Sequence, residues 1–119
     1  MPLVLVSPAG VEIARRLMWA RTPAERARGL LGRFPLQPGE ALVIEDAAQV
    51  HTFGMRYRID VVFCARDWSV RYAVRAMSPG RLTKWVRGAS LVVETVAGTL
   101  DSSVAPGSRL SFLFLTGGS

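Results

Sequence analysis

The chain has 119 residues, half of them apolar and a fifth charged, which describes one domain able to build a core and excludes a disordered tail. Its fifteen Lys and Arg outnumber nine Asp and Glu for a formal charge of +6, so anionic partners are favoured in a general, non-specific way. A single cysteine, Cys64, excludes an intramolecular disulfide framework and a cysteine-based structural zinc site.

Leu3 to Val6 is a short apolar run cut off by Pro8 and Gly10, with no basic residue before it. No signal peptide is read there, and the expectation is a cytoplasmic protein. Val11 to Trp19 reads as a first strand, with imperfect alternation of Val11, Ile13 and Arg15 against Glu12, Ala14 and Arg16. Thr22-Pro23-Ala24-Glu25 is a capping-box sequence that starts a helix. Ala24, Ala27, Leu31 and Phe34 fall at helical spacing on one face, and Pro35 ends the run. A helix of about three turns depends on packing more than on propensity.

Strand periodicity takes over beyond the helix. Ala41 to Glu45 is a short apolar segment and Ile59 to Ala65 a stronger one. Arg66-Asp67-Trp68-Ser69 fits a turn into Val70 to Met77, which makes a hairpin. Strict alternation on its second arm puts Val70, Tyr72, Val74 and Ala76 on one face, and Arg71, Ala73, Arg75 and Met77 on the other. A loop to about Gly88 leads to Ser90 to Val96, a polar turn through Pro106-Gly107 and a last strand, Arg109 to Leu115. The longest apolar runs are too short to span a bilayer, so no membrane partner is expected. The expectation is a single domain over residues 1–119 with a mobile tail at 117–119. It is mainly β (α+β), a small antiparallel barrel-like or sandwich sheet with one short helix near the N-terminus.

Candidate chemistry concentrates around the lone histidine. His51-Thr52-Phe53-Gly54-Met55 precedes Ile59-Asp60-Val61-Val62-Phe63, where a carboxylate interrupts an apolar strand. A histidine works as a general base near neutral pH, and a carboxylate can orient it. By strand parity Asp60 falls with Val62 and Cys64, and Glu94 with Val92 and Val96. Each acid therefore shares a face with apolar neighbours and needs a partner. Arg26, Arg33 or backbone N–H groups can supply one, which makes Glu94 a structural acid and gives Asp60 either role. Phe53 and Met55 serve equally as pocket lining or core packing. Cys64, inside a strand with no basic neighbour before Arg66, reads as a small buried hydrophobe and not a nucleophile. The lone histidine lacks metal-ligand spacing, so no metal, cofactor or catalytic residue is assigned.

The second candidate surface joins Arg71, Arg75 and Trp85. Fourteen of the fifteen basic residues are arginines, a bias that genome composition explains as readily as binding does. Tyr72 falls opposite Arg71 and Arg75, so a basic groove interleaved with aromatic platforms for single-stranded nucleic acid is not assembled. Two function classes stand. One is a pocket of His51, Thr52, Phe53, Met55, Asp60 and Arg26 for a small polar or anionic molecule or a peptide-like segment. The other is a non-enzymatic module that binds a protein or nucleic acid through Arg71, Arg75 and Trp85.

Arg26-Ala27-Arg28-Gly29-Leu30-Leu31-Gly32-Arg33, His51-Thr52-Phe53-Gly54-Met55-Arg56 and Ile59-Asp60-Val61-Val62-Phe63 occur in that order. Val93-Glu94, Ala97-Gly98 and Pro106-Gly107 follow them. This order resembles the bacterial and archaeal family known as domain of unknown function 192, over roughly Arg15 to Phe112. The resemblance implies a compact, mainly β domain with a helix near its N-terminus and no assigned activity. Arg58, Cys64-Ala65 and Ser108 depart from the residues usual in that family.

Overall fold

The computed structural model describes residues 3–30 and 35–114. Eight strands form two sheets. The strands are β1 (Leu3–Val6), β2 (Glu12–Ala14), β3 (Arg16–Ala20), β4 (Glu40–Glu45), β5 (Ile59–Cys64), β6 (Val70–Met77), β7 (Leu91–Val96) and β8 (Ser111–Phe114), with one helix, α1 (Pro23–Arg28), after β3. A three-stranded sheet has the order β2-β1-β8 and a five-stranded sheet the order β3-β4-β7-β5-β6. The mainly β expectation is met by two stacked sheets and not by a closed barrel.

The five-stranded sheet is the middle layer. All six residues of β5 are buried, because both faces of that strand are covered. A continuous apolar run such as Val61-Val62-Phe63 is the sequence form such a strand takes. On one face Val43, Val62, Cys64 and Val93 pack against Leu5, Ile13 and Leu110 of the smaller sheet side. Trp68 and Phe112 close that cluster edge to face, with ring centroids 4.9 Å apart. On the other face Leu42, Ile44, Val61, Phe63 and Val92 pack with Leu30, Leu36 and Val50 from the helix end and the loops. This second face carries the cavity described below.

Three expectations are corrected. The single strand expected from Val11 to Trp19 is two strands in different sheets. The chain leaves the small sheet after Ala14 and enters the large one at Arg16, where the N–H groups of Arg15 and Arg16 both donate to the Gly39 carbonyl. Leu3–Val6, unassigned on sequence, is the central strand of the small sheet. The sheet is also not wholly antiparallel, since β3 pairs β4 in parallel.

The helix begins as expected. The Thr22 side chain accepts from the Glu25 N–H, and the Glu25 carboxylate accepts from the N–H groups of Thr22 and Arg21. It runs for only six residues and ends at Gly29, whose φ of 54° suits glycine. Ala24 and Ala27 are exposed, so the apolar face drawn through them does not form over α1. Leu31 and Phe34 lie outside the described residues.

The β5–β6 hairpin forms, but its register shifts twice, between Ile59 and Val61 and between Phe63 and Cys64. Bulges of this kind reverse the parity of the residues beyond them. Val70 therefore joins the small-sheet side, while Tyr72 and Val74 face the helix side and Met77 returns to them. Strict alternation had kept Val70 with Tyr72 and set Met77 opposite.

Among the described residues no helix is long and apolar enough to cross a membrane.

Candidate functional site

The loop around His51 is held by a second loop. Segments 48–52 and 81–86 run alongside each other through short hydrogen bonds. Thr83 N–H donates to the Val50 carbonyl at 2.9 Å, Thr52 N–H to Arg81 at 2.8 Å and Val86 N–H to Ala48 at 2.7 Å. His51 forms an isolated antiparallel bridge with Leu82. Thr52 is the buried anchor. Its hydroxyl donates to the Ser78 carbonyl at 2.7 Å and accepts from the Arg81 N–H at 2.9 Å. The Met55 N–H closes a turn onto the Thr52 carbonyl, with Gly54 at a φ of 82°, the left-handed conformation glycine tolerates best.

This arrangement leaves His51 exposed. Its ring stacks on Phe53 with centroids 5.0 Å apart and planes 20° from parallel. Nδ1 accepts from the Phe53 N–H at 3.2 Å, which places the proton of a neutral ring on Nε2. Half of Phe53 is exposed, as is 70% of Trp85. Single exposed aromatics are ordinary, but Trp85 lines a concave opening, whereas Phe53 is not among the residues that line it.

That opening leads to a cavity of about 460 Å³ between α1, the 46–51 segment and the helix-side face of the large sheet. Ile44, Val50, Met55 and Ile59 give it apolar walls, and Arg26 and Arg28 reach it from α1. His51 and Trp85 stand among its lining residues, and so does Glu94. Glu94 is on β7, directly between Leu42 of β4 and Val61 of β5. Only 3% of it is exposed. No described residue donates to, accepts from or ion-pairs with its carboxyl. Burial among these apolar neighbours pushes that carboxyl up to about 7.

Asp60 has the opposite environment. It sits one residue out of phase with Val61, so it faces away from the cavity, and only 1% of it is exposed. Its carboxylate accepts three backbone N–H groups, from Ala76 at 2.8 Å, Gly98 at 3.0 Å and Leu100 at 3.1 Å. It thereby fastens the β6 bulge, where Ala76 has a φ of 52°, to the turn after β7. His51, Met55 and Arg26 come together at the cavity. Asp60 does not join them, and Thr52 supports the loop from within.

The residues of the second candidate surface do not act alike. The Arg75 guanidinium donates to the carbonyls of Leu100, Asp101 and Val104, at 2.7 Å and 2.8 Å for the last two. Arg71 is exposed on β6, and Trp85 belongs to the cavity rim. Cys64 is fully buried, and burial first, then the Asp67 charge, pushes its thiol up to about 12. Among the described residues no group of three or more His, Cys, Asp and Glu side chains could hold a metal.

Sequence reasoning named Glu94 but grouped it with Asp60, since both interrupt apolar strands. The signal separating them was present only in part. Glycine and turn residues follow β7 closely and can offer N–H groups to Asp60, whereas nothing near Glu94 in sequence reveals that its neighbours across the sheet are Leu42 and Val61. Arg28 reaches the cavity by tertiary packing alone, and Trp85, which the sequence offered as a residue flanking the His51 loop, lines it.

These features define a small mainly β domain with a cavity floored by a buried acid. The chain belongs to the uncharacterized ACR family, domain of unknown function 192, whose model matches residues 4–112. It is similar in fold to a protein of unknown function from Novosphingobium aromaticivorans DSM 12444, with a TM-score of 0.75 and 22% identity over 93% of this chain and 84% of that one. A Sinorhizobium meliloti 1021 protein, provisionally described as a transcription regulator, gives a TM-score of 0.76 at 22% identity over 92% and 91% of the two chains. No curated protein matches the chain.

Proposed function

We propose that this chain is a ligand-binding domain that takes a small polar molecule, without covalent chemistry, in the cavity beneath the His51 loop. The observation that carries this reading is Glu94. Its carboxyl lines the cavity with no hydrogen-bond partner among the described residues, and a fold keeps a largely buried acid of this kind most readily where a ligand completes it. The volume of about 460 Å³ falls within the range of small-molecule sites, about 300–1,000 Å³. His51 and Trp85 supply a polar edge and a flat apolar face at the entrance.

A nucleic-acid or protein module built on Arg71, Arg75 and Trp85 has less in its favour, because the Arg75 guanidinium is already bonded to main-chain carbonyls. The Sinorhizobium meliloti protein is alike in fold at 22% identity, which carries no ligand with it. A cytoplasmic setting suits the one buried free thiol, which needs no oxidising compartment.

The test is a thermal-shift metabolite screen repeated on His51→Ala and Trp85→Ala. Ligands that stabilise the wild-type chain should lose that effect in one or both variants, with their unliganded melting temperatures little changed. Stabilisation that survives both substitutions would place binding elsewhere.

A further inference from the structure

The cavity is asymmetric in charge, and that asymmetry selects a ligand class. Among the described residues, four titratable or charged groups line it besides Glu94: Arg26 and Arg28 from α1, and Asp46 and His51 from the segment after β4. Asp46 is already ion-paired with Arg66 at 3.2 Å. The strands on either side of Glu94 contribute only Leu42 and Val61 next to it. With the Asp46 charge met by Arg66, the Arg26 guanidinium gives the entrance a positive side, on a chain of net charge +6, and the field favours an anion over a cation. The walls between entrance and floor are apolar.

Resting on the ligand-binding reading above, we infer that the cavity takes a monocarboxylate or similar oxyanion on an apolar body, whose oxygen accepts a hydrogen bond from the Glu94 carboxyl. Two observations converge on this. The Glu94 carboxyl has no acceptor among the described residues, so its O–H is open to one that a ligand in the cavity supplies. Burial also keeps that carboxyl protonated up to about pH 7, so an anion can approach it without like-charge repulsion. A neutral acid buried in an apolar site is a strong donor to a developing or resident oxyanion. An amine has the opposite requirement. It must pass Arg26 and then ionise Glu94, creating a buried ion pair whose desolvation offsets its attraction.

The two ligand classes differ in the sign of their pH dependence. Binding of an oxyanion to protonated Glu94 weakens as pH rises through about 7, whereas amine binding strengthens. His51 also lines the cavity, so Glu94 must be tested separately.

The experiment measures binding of hexanoate, 1-hexanol and hexylammonium by backbone amide NMR titration at pH 6 and pH 8. The series is repeated on Glu94→Gln and Glu94→Leu. Hexanoate is expected to bind most tightly and to weaken about tenfold from pH 6 to pH 8, the ratio for one linked proton titrating midway. Gln keeps an N–H donor but cannot titrate, so E94Q should bind hexanoate with that pH dependence removed. E94L, which has no donor, should lose about tenfold or more at pH 6. Hexylammonium binding most tightly, or gaining affinity with pH, overturns the inference. So does an unchanged pH dependence in E94Q, which would place its origin outside Glu94. Equal binding of all three probes at the cavity refutes the oxyanion and leaves the ligand-binding reading standing. No shift at cavity residues with any probe refutes both.

Discussion

Replacing Asp60 removes a side chain that ties β5, the β6 bulge and the turn after β7 together. Its Oδ1 accepts from Ala76, and its Oδ2 from Gly98 and Leu100. Hydrogen bonds to a charged group contribute about 1.5–3 kcal/mol each, but three that share one carboxylate are not additive. Asp60→Ala is therefore expected to cost about 3–5 kcal/mol, out of a total typically about 5–15. That loss corresponds to a fall in melting temperature of roughly 10–25 °C for a domain of this size. Asp60→Asn is expected to be nearly as damaging. An amide has one acceptor oxygen, and its NH2 must face at least one backbone donor. Urea and thermal unfolding followed by circular dichroism measure both variants. If both remain within about 1 kcal/mol of wild type, the three-donor account of Asp60 is wrong. A tolerant Asn beside a damaging Ala would show that one acceptor suffices.

The remaining predictions concern other buried groups. Glu94 has a folded-state pKa raised from 4.5 to about 7, so the folded chain holds a proton that the unfolded chain releases. Its stabilising share is complete below pH 4.5 and is lost as pH rises towards 7, by about 3 kcal/mol in all. Glu94→Gln should lack that loss, which unfolding curves at pH 5 and pH 8 would reveal as a smaller difference than in wild type. The Cys64 thiol, buried and pushed up to about 12, should react with a thiol reagent at pH 8 only after denaturation; fast labelling of the native chain would contradict its placement. Thr52→Val keeps the shape of a side chain that bonds Ser78 and Arg81 but leaves those groups unpaired. It should cost about 1–3 kcal/mol and raise amide exchange in segments 48–52 and 81–86. Uniform exchange across the chain would mean that these loops are not fastened there.

Local chemistry was the readable part of this sequence. The capping box at Thr22 and Glu25, the β5–β6 hairpin and the buried character of Cys64 each depend on neighbours within a few positions. What escaped depends on partners far along the chain. The break between Ala14 and Arg16 is set by the Gly39 carbonyl, and the parallel partner of β3 arrives only with Glu40. The bulges in β6 leave no mark in an alternating pattern, and one extra residue was enough to exchange the faces of Val70 and Met77. The candidate site followed the same division. His51, Met55 and Arg26 could be placed near one another from short motifs. The differing fates of Asp60 and Glu94 required knowing that one meets three N–H groups and the other, among the described residues, lies between Leu42 and Val61 at the cavity.

The account turns on the state of one carboxyl. Its most direct test is a pH titration of the Glu94 side-chain carbon by NMR in the unliganded chain, with Glu94→Gln used to assign the signal. A midpoint near pH 7 is the result the structure predicts. A midpoint in the ordinary glutamate range, about 4.3, would mean that the group is solvated or paired, and the buried, ligand-seeking floor of the cavity would not exist as described.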